Sequence, residues 1–279
     1  MPLGNHGSFL TRFSLPPFLL YRSLFSFFTL AFILVFSSCA SLYKSTLSKP
    51  LDTQQIKNIL YTIKEQDKKV SSFYNLGNII VKNWLWESEA NILVAGTRNP
   101  FRIKIEITHA WGQPILHFLI DGGILEVLSF SDNKRYHGQF TPKALSKFIP
   151  CEFDENLIWA ALRGYPSLLE FHGITSSGAN QITLFDEGAG EVQRIELYPE
   201  SLLPKQIFLP KNLIRLAFQD FEEDNGIYYA KEVRANDMDG RRSLIVKSRK
   251  MSFNRIIPDQ IFFIEKPPNF ENLSLEKIY

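Results

Sequence analysis

Cysteine is nearly absent: among 279 residues only Cys39 and Cys151 occur. Two thiols allow one disulfide at most and exclude a zinc site built from cysteines. Histidine is almost as scarce. Beyond the first 38 residues there are His109, His117, His137 and His172, and none stands in a His-Glu-x-x-His ligand spacing. His109 and His117 fall on neighbouring expected strands but lack a matching carboxylate. No Gly-x-Ser-x-Gly elbow and no phosphate-binding glycine loop is present. The one glycine-rich run, Asp186-Glu187-Gly188-Ala189-Gly190, lies between two expected strands and reads as a turn. Glu222-Glu223-Asp224-Asn225 is acidic enough for a calcium ion, but it too reads as a solvated hairpin tip. We therefore expect no enzyme, no metal and no cofactor.

Acidic residues are missing altogether from the first 38 positions, where Arg12 and Arg22 are the only charged side chains. They account for the net charge of +2, so the rest of the chain holds 29 basic and 29 acidic residues. A neutral domain without a basic stripe argues against nucleic acid as partner.

What is present at the N-terminus is an apolar run, Leu24 to Val35, followed by Phe36-Ser37-Ser38-Cys39. A basic start, an apolar centre and then small residues form the layout of an export signal. The run is too short to span a bilayer, which takes about 20 apolar residues, unless Phe13–Leu20 is joined to it across Arg22. An uncleaved anchor and an ordinary secretory signal are the other two readings of this segment. A cysteine directly after two small residues resembles the lipobox of bacterial lipoproteins, although Phe36 stands where Leu is usual. The resemblance implies cleavage before Cys39 and acylation, with palmitate or a similar chain, of that cysteine. Each buried methylene adds roughly 0.8 kcal/mol of membrane affinity, so several chains hold firmly. Ala40 follows in place of Asp, which in that family implies export to the outer membrane.

The expected organisation is therefore a signal over 1–38, a lipidated tether over 39–51, one folded domain over 52–266 and a loose C-terminal extension over 267–279. Asp52 or Thr53 caps a helix carrying Ile56, Ile59, Leu60, Ile63 and Val70 on one stripe. After Ser71-Ser72 the period changes to two. Phe101–Thr108 is the clearest case, apolar at every odd position and polar at every even one, as in a strand with one dry and one wet face. Trp84 and Trp86 face one side of a strand, as core or as an aromatic platform. Thr141-Pro142 opens a second helix with Leu145, Phe148 and Ile149, stopping at Pro150. Asp154 caps a third, bearing Leu157, Ile158, Ala161 and Leu162 and ended by Gly164. Short alternating segments, beginning with Leu168–Ile174, then run to Phe253. The expected fold is mainly β with helices (α+β): an open antiparallel half-barrel of about 11 strands enclosing or covered by about three helices. Alternation alone leaves open whether the inside is solid core or a ligand cavity. Cys151 reads as a buried small hydrophobe.

One segment carries a further resemblance. A strand ends at His109-Ala110-Trp111-Gly112, the next runs through Leu116–Ile120, and Asp121-Gly122-Gly123 turns back towards Tyr136-His137-Gly138. Two helices then finish in Leu162-Arg163-Gly164-Tyr165-Pro166. This order resembles the outer-membrane lipoprotein receptor LolB within the LolA/LolB-like fold, and Asn236–Lys247 is similar to the final hairpin of such proteins. The resemblance implies an apolar half-barrel that takes lipoprotein acyl chains from a periplasmic LolA-like carrier and delivers them to the outer membrane. It places Trp111 and Gly112 on a membrane-insertion loop, with Trp where Leu is usual; the alternative is that Trp111 folds back as a core aromatic. Ile103, Ile105, Ile107, Leu116, Phe118, Ile120, Leu145, Phe148 and Ile158 would line the lipid-binding cavity or, equally, plain core. The expected protein is a monomer, lipid-anchored on the periplasmic face of the outer membrane. The competing reading is an envelope lipoprotein of the same fold acting as an interaction or sensor module that carries no lipid.

Overall fold

A computed structural model describes residues 50–277 except 84, 179 and 238. The signal, Cys39 and nearly all of the tether lie outside the described residues, as do Trp84 and Met238. Among the described residues no helix is long and apolar enough to cross a membrane.

Helix α1, Thr53–Lys68, starts as a capping box. Asp52 Oδ1 accepts from the Gln55 amide at 2.8 Å, and the Asp52 amide donates to Gln55 Oε1 at 3.0 Å. Two of the helix's orphan donors are thereby satisfied. Its buried stripe is Ile56, Ile59, Leu60, Ile63 and Gln66, whereas Val70, expected on the same stripe, lies beyond the C-cap Lys69 and reaches the core from the link that follows the helix. Six strands follow: β1 Ser72–Lys82, β2 Glu87–Thr97, β3 Arg102–Thr108, β4 Pro114–Asp121, β5 Ile124–Ser129 and β6 Lys134–Gln139. Helices α2, Pro142–Leu145, and α3, Glu155–Arg163, interrupt the sheet. Seven strands come next: β7 Gly173–Gly178, β8 Gln181–Phe185, β9 Glu191–Leu197, β10 Pro204–Leu209, β11 Ile214–Asp224, β12 Ile227–Asp237 and β13 Ser243–Phe253. A last one, β14, spans Glu271–Ser274.

Among the described residues all fourteen strands form one sheet in the order β14-β6-β5-β4-β3-β2-β1-β13-β12-β11-β10-β9-β8-β7. Every pairing is antiparallel except β14 with β6. The chain is thus two meanders joined where β1 meets β13, with Ile79 opposite Val246 and Ile80 opposite Ile245. That ladder carries a bulge at Leu76/Gly77. A Cβ on Gly77 would stand 1.9 Å from the Lys247 carbonyl oxygen, so only glycine lets the two backbones approach there.

The architecture is the mainly-β open sheet with few helices that the alternation predicts, but with 14 strands rather than about 11. The count fell short because several segments are very short and because the C-terminal extension is not loose. From Asn254 the chain crosses the outer face of the sheet. Ile257 and Phe262 pack with Ala95, and Ile264 and Phe270 with Leu128, before β14 pairs with β6. Arg102 fastens this segment through Asp259 at 2.9 Å and lies 4.2 Å from the centre of the Phe262 ring. Two other expectations need correction. Leu168–Phe171 is not strand, since β7 begins only at Gly173. And α2 is a single turn, ending at Leu145 although Phe148 and Ile149 still pack against the core.

Helix α3 is held from both ends. Asp154 Oδ1 accepts from the Leu157 amide at 2.8 Å, and Gly164 ends the helix in the left-handed region at φ 81°. There the Gly164 carbonyl accepts from the Ala230 amide at 2.7 Å, and a Cβ would stand 2.6 Å from the Ala230 oxygen. Asn75 of β1 donates to the Leu162 carbonyl at 2.8 Å. Every residue from Leu157 to Arg163 is buried, so α3 is the centre of the core rather than an amphipathic cover. Cys151, just before it, is buried, and burial pushes its thiol up to about 12. The thiolate is the reactive form, so Cys151 should resist a disulfide reagent at neutral pH in the folded protein and react within minutes in denaturant. Rapid reaction of the native protein would show that this corner opens.

Candidate functional site

The inner face of β1 to β4 and helices α2 and α3 enclose a small dry space. Its lining includes Ile79, Ile92, Ile105, Ile107, Phe118, Leu145, Ile158 and Leu244. Its volume is about 20 Å³, little more than one water-sized probe occupies. Of the nine residues expected around a lipid cavity, Ile105, Ile107, Phe118, Leu145 and Ile158 are brought together here. Ile103 and Ile120 are fully buried but off this lining. Leu116 and Phe148 are partly buried, and the Phe148 ring meets Phe118 edge-on at 6.0 Å and Tyr136 at 5.0 Å. Side chains of α2 and α3 fill most of this space. Ile79 and Ile92 carried the same period-two signal as the expected set, whereas nothing near Leu244 announces that it lines the same space as Ile158.

At one end of the sheet the turn after β3 presents Trp111. The His109 amide donates to the Gln113 carbonyl and the Gly112 amide to the His109 carbonyl, each at 2.8 Å. Gly112 takes φ 87°, which favours glycine. The Trp111 indole stacks on His109 at 4.4 Å, and its N–H donates to Gln113 Oε1 at 3.3 Å. It is 74% exposed, so the alternative of a core aromatic does not hold. The turn between β1 and β2 lies at the same end, because β2 runs from Glu87, opposite Lys82, to pair with β3. Asn83 Oδ1 accepts from the amides of Leu85 and Trp86, at 2.8 and 2.9 Å. Leu85 is 70% exposed, and Trp86 sits half-exposed in this turn rather than in a strand core.

The remaining titratable groups have local explanations. Burial lowers the His117 pKa, and its ring meets Phe130 edge-on at 4.8 Å. The acidic hairpin tip engages Glu222 with the Tyr229 hydroxyl at 2.7 Å and with Lys231 at 3.0 Å. Arg163, inside Leu162–Pro166, is wholly buried, and burial brings its pKa down to about 10 despite the nearby Asp67. It donates to the Gln66 carbonyl and lies 4.7 Å from the Tyr165 ring centre, tying α3 to α1.

No family model matches the chain, and no curated protein does. Solved structures match it in shape. A DUF1329-family protein from Desulfovibrio piger superposes with a TM-score of 0.50 at 11% identity, covering 74% of this chain and 95% of that one. A LolA-superfamily protein from Nitrosomonas europaea gives 0.48 at 14% identity, covering 74% and 97%. A putative outer-membrane lipoprotein-sorting domain from Vibrio parahaemolyticus gives 0.47 at 13%, covering 74% and 96%. At such identities the first likeness is one of fold alone, and the two lower scores add no argument about function.

Proposed function

We propose that this protein is a LolB-like envelope lipoprotein, tethered by acylated Cys39 at the periplasmic face of the outer membrane. It receives lipoprotein acyl chains, handed over by a LolA-like carrier, between the sheet and α2–α3 and passes them to the bilayer at the Trp111 turn. The observation that carries this reading is the exposed indole of Trp111, on a hydrogen-bonded turn beside Leu85 and Trp86. An indole suits the bilayer interface, with an apolar body and one N–H to hydrate. Transfer needs no covalent chemistry, because about 25 cal/mol per Å² of apolar area shifts a chain towards whichever host buries more of it.

The packed interior sets a condition on this reading. An acyl chain enters only by displacing α2 and the Phe148–Ile149 turn, which are joined to the sheet by apolar contacts. The same observation favours a second reading, an interaction or sensor module of this fold that carries no lipid. One experiment separates them. A lipoprotein bearing a photoreactive palmitoyl chain, mixed with the protein and irradiated, should label Phe118, Leu145 and Ile158. Absence of label from all three under conditions of complex formation leaves the module reading in place of the carrier.

A further inference from the structure

Outside the core, α1 borders a groove of about 700 Å³, within the range of roughly 300–1,000 Å³ typical of small-molecule sites. Its opposite wall is the stretch from Leu168 to Ile174 that links α3 to β7. That wall is pinned to the sheet. Gln193 of β9 donates to the Ser167 carbonyl and accepts from the Leu169 amide, both at 3.0 Å, and the His172 amide donates to the Phe185 carbonyl at 2.8 Å. Leu60, Leu169, Phe171 and Ile174 give the groove an apolar floor, and Tyr61 stands over it 67% exposed.

The helix wall is basic. Lys57 and Lys64 are seven residues apart, hence on one face about 10 Å from each other. Lys68 adds a third ammonium, paired with Glu65 at 3.0 Å. Two carboxylates also line the groove, Asp67 and Glu170. Asp67 is half-buried, with Oδ1 shielded from solvent and without a hydrogen-bond partner, and the flanking His172 is 3.2 Å from Glu187. With Lys68 paired to Glu65 and Asp67 Oδ1 shielded from solvent, Lys57 and Lys64 stand against one exposed carboxylate, Glu170, above an apolar floor.

We propose that this groove binds a long-chain carboxylate, its tail on the apolar floor and its head between Lys57 and Lys64. The site is separate from the interior and does not depend on the carrier reading. The test uses the whole protein and a photoreactive palmitate, with label mapped by mass spectrometry. Label is expected on Tyr61, Leu169 and Phe171. Replacing both Lys57→Glu and Lys64→Glu should weaken palmitate binding by about tenfold or more, since charge-assisted hydrogen bonds are lost and repulsion replaces them, with the melting temperature unchanged. The milder pair Lys57→Gln and Lys64→Gln should give a smaller loss in the same direction. Hexadecylamine, with the same chain and the opposite charge, should bind the wild type weakly and the double Glu variant better. Label confined to Phe118, Leu145 and Ile158 overturns the groove and leaves the carrier standing. Unchanged palmitate affinity in both double variants, or no saturable palmitate binding at all, overturns it as well.

Discussion

Trp159→Ala should remove about 3–5 kcal/mol of stability, the usual cost of deleting a large aromatic from a packed core. Set against a typical total of roughly 5–15 kcal/mol, that approaches loss of the fold. For a domain of this size it corresponds to a fall of about 6–20 °C in melting temperature. The indole is fully buried at the centre of α3. Phe73 of β1 meets it edge-on at 5.0 Å, Phe101 lies at 6.4 Å, and the Arg98 guanidinium is 5.1 Å from its ring centre. One side chain thus joins the helix to β1 and to the corner between β2 and β3. Denaturant unfolding of Trp159→Ala beside Trp86→Ala checks this. The half-exposed Trp86 should shift stability by no more than about 0.5 kcal/mol. A cost below about 1 kcal/mol at Trp159 would mean that α3 is not seated as described.

Trp111→Glu should do the reverse, leaving stability alone and removing the membrane contact proposed for this turn. Because the indole is 74% exposed and touches chiefly His109 and Gln113, its loss breaks little of the fold. A carboxylate there forfeits apolar burial at the bilayer boundary and adds a charge that resists it. Acyl chains would hold the protein to the bilayer whatever this turn does, so the measurement uses protein lacking them. There we expect association with phospholipid vesicles to fall by about tenfold or more, or 1.4 kcal/mol, while the melting temperature holds. Trp111→Tyr, which keeps an aromatic body and a polar tip, should retain most of the binding. Cosedimentation with vesicles reads both variants. Equal binding by Trp111→Glu and wild type would remove this turn from the proposed delivery to the bilayer and leave Leu85 and Trp86 as the apolar side chains at that end.

Much of the fold was legible locally. Caps at Asp52, Thr141-Pro142 and Asp154 start helices because their side chains satisfy orphan amides, and Gly164 stops one because it accepts a left-handed backbone. Ile103, Ile105 and Ile107 alternate with polar neighbours, and all three face inward. Trp159 was not legible in this way. It lies off the stripe of Leu157, Ile158, Ala161 and Leu162, so periodicity points it outward, yet Arg98 and Phe101 fold over it from another element. The tail was misread for a similar reason. Two prolines and few apolar residues describe a weak local preference, whereas β14 exists because the edge of β6 supplies its hydrogen-bond partners.

By itself the sequence determined which residues have a dry face, where helices begin and end, and that no disulfide framework, zinc-finger spacing or nucleophile elbow is present. Each of these is a property of neighbours in the chain, set by side-chain period, backbone preference or residue type. Tertiary structure alone decided that β1 lies beside β13, that Trp111 stands in solvent, and that the apolar space lined by Ile105, Phe118 and Ile158 narrows to about 20 Å³. The size of a void is the difference between what distant strands enclose and what the intervening helices fill. No local pattern encodes that difference.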